Sequence, residues 1–245
     1  KDSIEYFNGD SLAANVFITK YALTDKQGNL HESNPDDMHR RMAKEFSRIE
    51  SRYPNPISED EIYELFKNFK FVIPQGSPMS GIGNNHQVQS ISNCFVINSP
   101  YDSYGGILKT DQELVQIAKR RGGVGFDVSS IRPRGQVTAN CARTTDGIEV
   151  FMDRFSNSCR EVAQNGRRGA LMLTISVHHP QIRDFVKIKR DLNRVTGANI
   201  SIRLSDEFMN AVKNSSDFEL RFPVDSSTPD VSEMISAKDL WDEII

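Results

Sequence analysis

The stretch SISNCFVINSPYDSYGGI, residues 90–107, places a short apolar run around Cys94 between polar turn residues, with Asp102 eight residues after the cysteine. An apolar run rich in β-branched and aromatic residues, bounded by Ser, Asn and Pro, reads as a strand. It also marks a change of grammar. From about residue 89 onward, short β-prone runs alternate with capped amphipathic segments. This pattern predicts strands near 92–98, 123–128, 170–176, 198–203 and 217–221, and helices near 111–121, 147–163, 181–190 and 205–214. Cap signals support the helices: Thr110 with Glu113, Ser205 before DEFMNAV, and Pro180 before QIRDFVKIK. In the longest, Ile148, Phe151, Met152, Phe155 and Val162 keep helical spacing and read as core. Strand–helix–strand repeated four times predicts an α/β fold with five parallel strands joined by right-handed crossovers.

Before residue 89 the sequence reads as helices. NPDDMHRRMAKEFSRIESRYP opens with Asn34 as N-cap and Pro35 at the first helical position, then carries Met38, Met42, Phe46 and Ile49 on one face. SEDEIYELFKNF repeats the logic with a Ser58/Glu61 capping box. Two regions follow: a mainly helical one over 1–88 and an α/β one over 89–245. DSSTPDVSE, 225–233, reads as a surface linker. SAKDLWDEII begins an apolar helical face that is not completed, so the α/β region is expected to be truncated.

At 245 residues, with 38% hydrophobic and 26% charged residues, the chain can bury a substantial core. A net charge of −3 with interspersed signs excludes a global basic field for DNA. No run approaches a membrane span and no secretory signal opens the chain, so a cytoplasmic protein with no membrane partner is expected. The three cysteines, Cys94, Cys141 and Cys159, are spaced 47 and 18 apart, which fits neither a disulfide framework nor CxxC-type metal ligation. No metal site is expected.

Four glycine-rich or polar segments lie where α/β proteins place their sites: 74–85, 120–127, 131–147 and 163–170. Each offers backbone N–H groups or arginines to phosphate oxygens, although a Gly-rich turn alone is usually only a turn. GGVGFD is not a dinucleotide fingerprint, because its glycines fall before and within a strand and no helix follows. In AQNGRRGA, Arg167 and Arg168 sit between glycines, where two guanidiniums have little core value and much value for an anion. His178 and His179 are adjacent, point apart, and read as capping or surface residues. Cys141 and Cys159 read as incidental.

The ordered series GSPMSGIGN, SNCFVI, YDSYGGI, RRGGVGFDVSSIRPRG, EVAQNGRRGA and TGANISI resembles the large, catalytic subunit of ribonucleotide reductase, from about residue 4 to the end. The resemblance implies a helical N-terminal region followed by the first five-stranded parallel half of a ten-stranded α/β barrel. It also implies a homodimer, a C-terminal half completing the barrel, and a thioredoxin-like reductant. From the strand alone, Cys94 would be a buried core cysteine. The resemblance instead makes it one of two cysteines that reduce a ribonucleotide and close into a disulfide. The second redox cysteine and the radical cysteine are then expected outside this chain. By the same resemblance Ser77 binds substrate phosphate, and Asn93 and Gly123 line the substrate site. Asp102 and Ser103 hold the base and sugar of a dNTP or ATP effector, Arg132 and Arg143 its phosphates. Gln164, Asn165, Gly166, Arg167 and Arg168 form a specificity loop. DSLAANVFITKYAL, PQGSPMSGIGN and SNCFVI are most similar to adenosylcobalamin-dependent members. A radical from a metal-containing partner subunit is the alternative. A nucleotide-sensing module of the same ancestry, without turnover, is the competing function, while an RNA-binding protein would need a basic stripe or aromatic platform.

Overall fold

The structure, a computed structural model, describes residues 1–162 and 169–245. In chain order its helices are α1 (Asp2–Tyr6), α2 (Ser11–Lys20), α3 (Pro35–Glu50), α4 (Glu59–Phe66), α5 (Gly76–Gly81), α6 (Tyr104–Ala118), α7 (Ile148–Glu161), α8 (Ile182–Lys187), α9 (Asp206–Asn214) and α10 (Ala237–Ile244). Its strands are β1 (Cys94–Val96), β2 (Gly123–Asp127), β3 (Leu171–Ser176), β4 (Asn199–Arg203), β5 (Asp217–Phe222) and β6 (Val231–Ser236). The described residues divide into two compact units, one of 1–93 with 119–122 and one of 94–118, 123–162 and 169–245. Among them, no helix is long and apolar enough to cross a membrane.

The first unit is helical. Asn34 caps α3 by accepting from the Asp36 and Asp37 amides, with Pro35 at the first position, and Ser58 and Glu61 form the expected capping box on α4. Met38, Met42, Ile62 and Phe66 bury into one core with Phe17 from α2. GSPMSG, within the glycine-rich segment 74–85, forms the short helix α5. Arg41 holds its carboxyl end, donating to Met79 O at 2.7 Å and also to Ile82 O.

In the second unit the strands run parallel in the order β1-β2-β3-β4. Alternation decides the faces. Val124, Phe126, Leu171, Leu173 and Ile175 turn into a core shared with helices α6 to α10. Their neighbours in sequence fall on the other face. Among the described residues the sheet is therefore covered on one side, while the other presents exposed Cys94, Val96, Met172 and Asn199 beside a buried Gly123.

Four expectations are corrected. The strand expected at 217–221 forms, but it is not a fifth parallel strand: β5 pairs antiparallel with β6, from Asp217↔Ser236 to Phe222↔Val231. The supposed linker, 225–233, runs into that partner, which begins at Val231. Only eight residues separate β5 from β6, which suits an antiparallel return and is too short for a parallel crossover. Helix α6 begins at Tyr104, well before Thr110, because the Ser103 hydroxyl accepts from Gly106 N at 3.1 Å. Gly106 is required there, since a Cβ would lie 2.5 Å from Tyr101 O. His178 and His179 are not surface residues; they are 6% and 0% exposed.

Candidate functional site

The open face of the sheet is ordered in rows by its register. Cys94 pairs with Gly123; Val96, Gly125, Met172 and Asn199 form the next row; Asp127, Thr174 and Ser201 the one after. A thiol and a glycine thus lie at the amino end of the strands, a largely apolar band in the middle, and charge at the carboxyl end. Asp127 anchors that end, accepting from Thr174 Oγ1 at 2.8 Å and from Arg203 Nε at 2.8 Å. A cavity of about 560 Å3 opens on this face, lined by Cys94, Val96, Gly123, Gly125, Met172 and Asn199 among others.

Cys94 is exposed, unlike most cysteines. Cys159 is the opposite case: α7 carries it into the core, and burial pushes its thiol pKa up. Cys141 is exposed in the loop before α7.

Ser77 and Asn93 belong to the helical unit and are brought together there. Ser77 N donates to Asn93 Oδ1 at 2.8 Å, and Asn93 Nδ2 donates to Gln75 Oε1. The Ser77 side chain is fully buried, its hydroxyl 3.4 Å from Arg121 O. The pair forms one polar knot at the start of α5.

Asp102, Ser103 and Arg132 also come together. Arg132 embraces the Asp102 carboxylate, its backbone N donating to Oδ1 at 3.1 Å and its Nε to Oδ2 at 2.7 Å, while Nη1 donates to Val137 O at 2.6 Å. A charge-assisted fork of this kind fixes geometry as well as energy. The three residues line a cavity of about 300 Å3 with Thr138, Asn140 and Phe151. Ser103 stands at the N-terminus of α6, where backbone N–H groups favour an anion. Arg143 is exposed on the same loop, in a left-handed turn with φ 62°. Gln164, Asn165, Gly166, Arg167 and Arg168 lie outside the described residues.

Two residues to which sequence reading gave no site role, His179 and Gln181, stand behind this region. His179 Nδ1 accepts from Gln181 N at 3.0 Å, so the proton sits on Nε2, which donates to Ile131 O at 2.9 Å. Burial holds this imidazole neutral and pulls its pKa down to about 4. Gln181, 5% exposed, turns its carbonyl oxygen to the backbone N–H groups of Arg134 and Ile148, both at 3.0 Å. The only signal in the sequence was the polar HHPQ cluster itself.

The family model of the ribonucleotide reductase barrel domain matches residues 92–244. The vitamin B12-dependent ribonucleoside-diphosphate reductase of Mycobacterium tuberculosis (strain H37Rv) is 29% identical over 240 residues, covering 96% of this chain and 33% of that protein. That of Thermoplasma acidophilum is 30% identical over 184 residues, covering 74% and 23%. The ribonucleoside-diphosphate reductase large subunit of Caenorhabditis elegans is 26% identical over 180 residues, covering 63% and 23%. The chain spans about a third or less of the length of these relatives. With a parallel sheet open on one face and the barrel-domain match across it, the chain belongs to the ribonucleotide reductase family.

Proposed function

We propose that this chain is part of a ribonucleotide reductase catalytic chain, that the open face of its sheet is the substrate side, and that Cys94 is a reducing thiol. The observation that carries the reading is the exposure of Cys94 on the uncovered face, directly beside Gly123. A thiol on a rigid strand, next to a position without a side chain, leaves room for a ribose to approach.

The reaction balances with two thiols. Cys94 and a second cysteine lose two hydrogens and form a disulfide; the ribose 2′-hydroxyl leaves as water and a hydrogen replaces it. A radical at the ribose, begun by abstraction of the 3′-hydrogen, is what makes the hydroxyl a leaving group. Cys159 is buried in the core and Cys141 lies on a distant loop of the sequence, so neither is assigned as the second thiol. A dithiol protein of the thioredoxin type would return the disulfide to thiols. The relatives' names support a ribonucleoside diphosphate as substrate. In the whole protein, further strands closing the open face would exclude water.

The Asp102, Ser103 and Arg132 group is the proposed effector site for a dNTP or ATP. Arg132 would exchange part of its bond to Asp102 for phosphate oxygens, and the freed carboxylate would accept from the base or ribose. Arg143, the exposed arginine of the same loop, is the second phosphate contact. Ser77 and Asn93 are proposed for the substrate phosphate and pocket wall, and residues 164–168 for the loop that reports effector identity to the substrate.

The cobalamin-dependent relatives support adenosylcobalamin, which when bound supplies the initiating radical. Among the described residues Val96, Gly125 and Met172 form one apolar strip on this face, too small to enclose a corrinoid. The large-subunit relatives keep a metal-containing partner subunit as the second reading. The test is ribonucleotide reduction by the full-length gene product with a dithiol, with and without adenosylcobalamin. Cobalamin-dependent turnover is expected. Turnover only on adding a metal-loaded partner subunit would select the second reading, and nucleotide binding without turnover under either condition would select a sensing module.

A further inference from the structure

The loop between Arg134 and Ile148 is thirteen residues long, and its tip reaches the cavity that holds Asp102. A loop of this length closes at an entropic cost and needs something to fix its ends. Part of the answer is local. Gly135 N donates to Thr145 O at 2.9 Å, Thr138 N to Arg143 O at 2.8 Å, and Val137 bridges Thr144, making a small hairpin. This hairpin positions Thr138 and Asn140 over the cavity, but does not itself fix the base on the body of the fold.

One buried atom does. Gln181 Oε1 accepts from Arg134 N and from Ile148 N, the residues on either side of the loop. Its own geometry is held from two directions: Gln181 N donates to His179 Nδ1, and Nε2 donates to Asp184 Oδ2 at 3.2 Å. His179 in turn accepts no freedom, since its Nε2 is spent on Ile131 O, one residue before Arg132. Gly147, with φ +79°, completes the joint: a Cβ there would overlap Gln181 Oε1 and come 2.7 Å from Arg134 N.

We infer that Gln181 is a positioning residue for effector binding, a clamp that closes the base of the 135–147 loop and so presets Arg132, Thr138 and Asn140 for a nucleotide. The inference rests on the effector site proposed above. Gln181 touches no effector atom; it acts by removing alternative loop conformations before the ligand arrives.

The test uses the full-length reductase and measures the Kd of dATP, dGTP and dTTP separately, alongside the Kd of a ribonucleoside diphosphate without effector. Gln181→Met keeps the length and removes the acceptor; effector Kd is expected to rise about tenfold, the scale of leaving buried donors unpaired. Gln181→Glu keeps an acceptor oxygen at the same reach but faces Asp184 Oδ2 with a second carboxylate, so it is paired with Asp184→Asn, and the double variant should return Kd to within about threefold of wild type. Gly147→Ala should weaken effector binding in the same direction, and combining it with Gln181→Met should add little, because both open the same joint. Amide exchange should accelerate across 135–147 and not in β3. If Gln181→Met binds all three nucleotides like wild type, or weakens substrate and effector equally as a general fold defect would, the clamp is overturned. If wild type binds none of the three, the effector site falls and the clamp with it.

Discussion

Cys94 and Gly123 are register partners across the β1–β2 ladder, so the thiol on the open sheet face has a position without a side chain directly beside it. Parallel pairing puts their Cα atoms side by side, and any residue larger than glycine at 123 would project onto the ground beside the sulfur. Gly123 is itself buried, so Gly123→Ala, the smallest addition, should raise the substrate KM of the full-length enzyme at least about tenfold, beyond what any fall in melting temperature accounts for. A steady-state titration with a thermal melt decides it. An unchanged KM would show that substrate does not approach this row.

Arg132 and Cys94 occupy different cavities, and substitutions should separate their roles. Arg132→Ala removes the partner of Asp102 and the proposed phosphate contact, so effector Kd should rise by about 10- to 100-fold, the range for a charged hydrogen bond. Cys94→Ser should abolish reduction while effector Kd stays within about twofold, since the variant keeps the shape of the side chain. Calorimetric titration of both variants gives the comparison. Equal losses of effector affinity would remove the distinction between the two sites.

What was legible in the sequence was local. The caps at Asn34 and Ser58, the four parallel strands and the helices between them follow from period, punctuation and turn chemistry within a few residues. What was not legible depended on distant partners. His178 meets Glu219 O and Ser205 Oγ, and His179 meets Ile131 O, contacts that span 27 to 48 residues; no local pattern announces that two adjacent polar residues will be core. The strand Val231–Ser236 is short and polar, and only pairing with β5 defines it. Helix α6 was started late because Gly105 and Gly106 look like a turn, whereas Gly106 is there to let the helix pass Tyr101. For the site, Asp102 and Arg132 were linked by family resemblance alone; their fork, 30 residues apart in sequence, is a property of the fold.

The buried histidine gives stability a pH dependence of definite sign. His179 is pulled down to about 4 by burial, against an ordinary 6.5. Between those values the unfolded chain binds the proton and the folded one does not, so this contribution is complete above about pH 6.5 and is lost as pH falls toward 4. The total is on the order of 3 kcal/mol. His178 and His39 are also lowered by burial and act in the same direction. Melting temperature measured from pH 7 to pH 4 should fall more steeply for wild type than for His179→Gln, which has no proton to gain. Parallel slopes would mean that His179 titrates normally in the fold.

The position of α5, and with it Ser77, depends on a buried ion pair. Arg41 Nε lies 2.6 Å from Glu32 Oε1, the two side chains being 11% and 3% exposed, and the same guanidinium reaches Met79 O and Ile82 O. Glu32 also accepts from Leu23 N at 2.8 Å, so the pair ties the segment after α2 to α3 and α5. Removing one member leaves the other buried and uncompensated, which costs about 3–5 kcal/mol, more than the pair itself contributes relative to an apolar substitute. Arg41→Met should therefore destabilise by that amount in denaturant unfolding, and Glu32→Leu combined with Arg41→Met should recover much of the loss. Because Arg41→Met also frees the carboxyl end of α5, substrate KM should rise in this variant with kcat changed less. A cost below about 1 kcal/mol for the single substitution would show that water reaches Glu32 and that α5 is held by its apolar contacts instead.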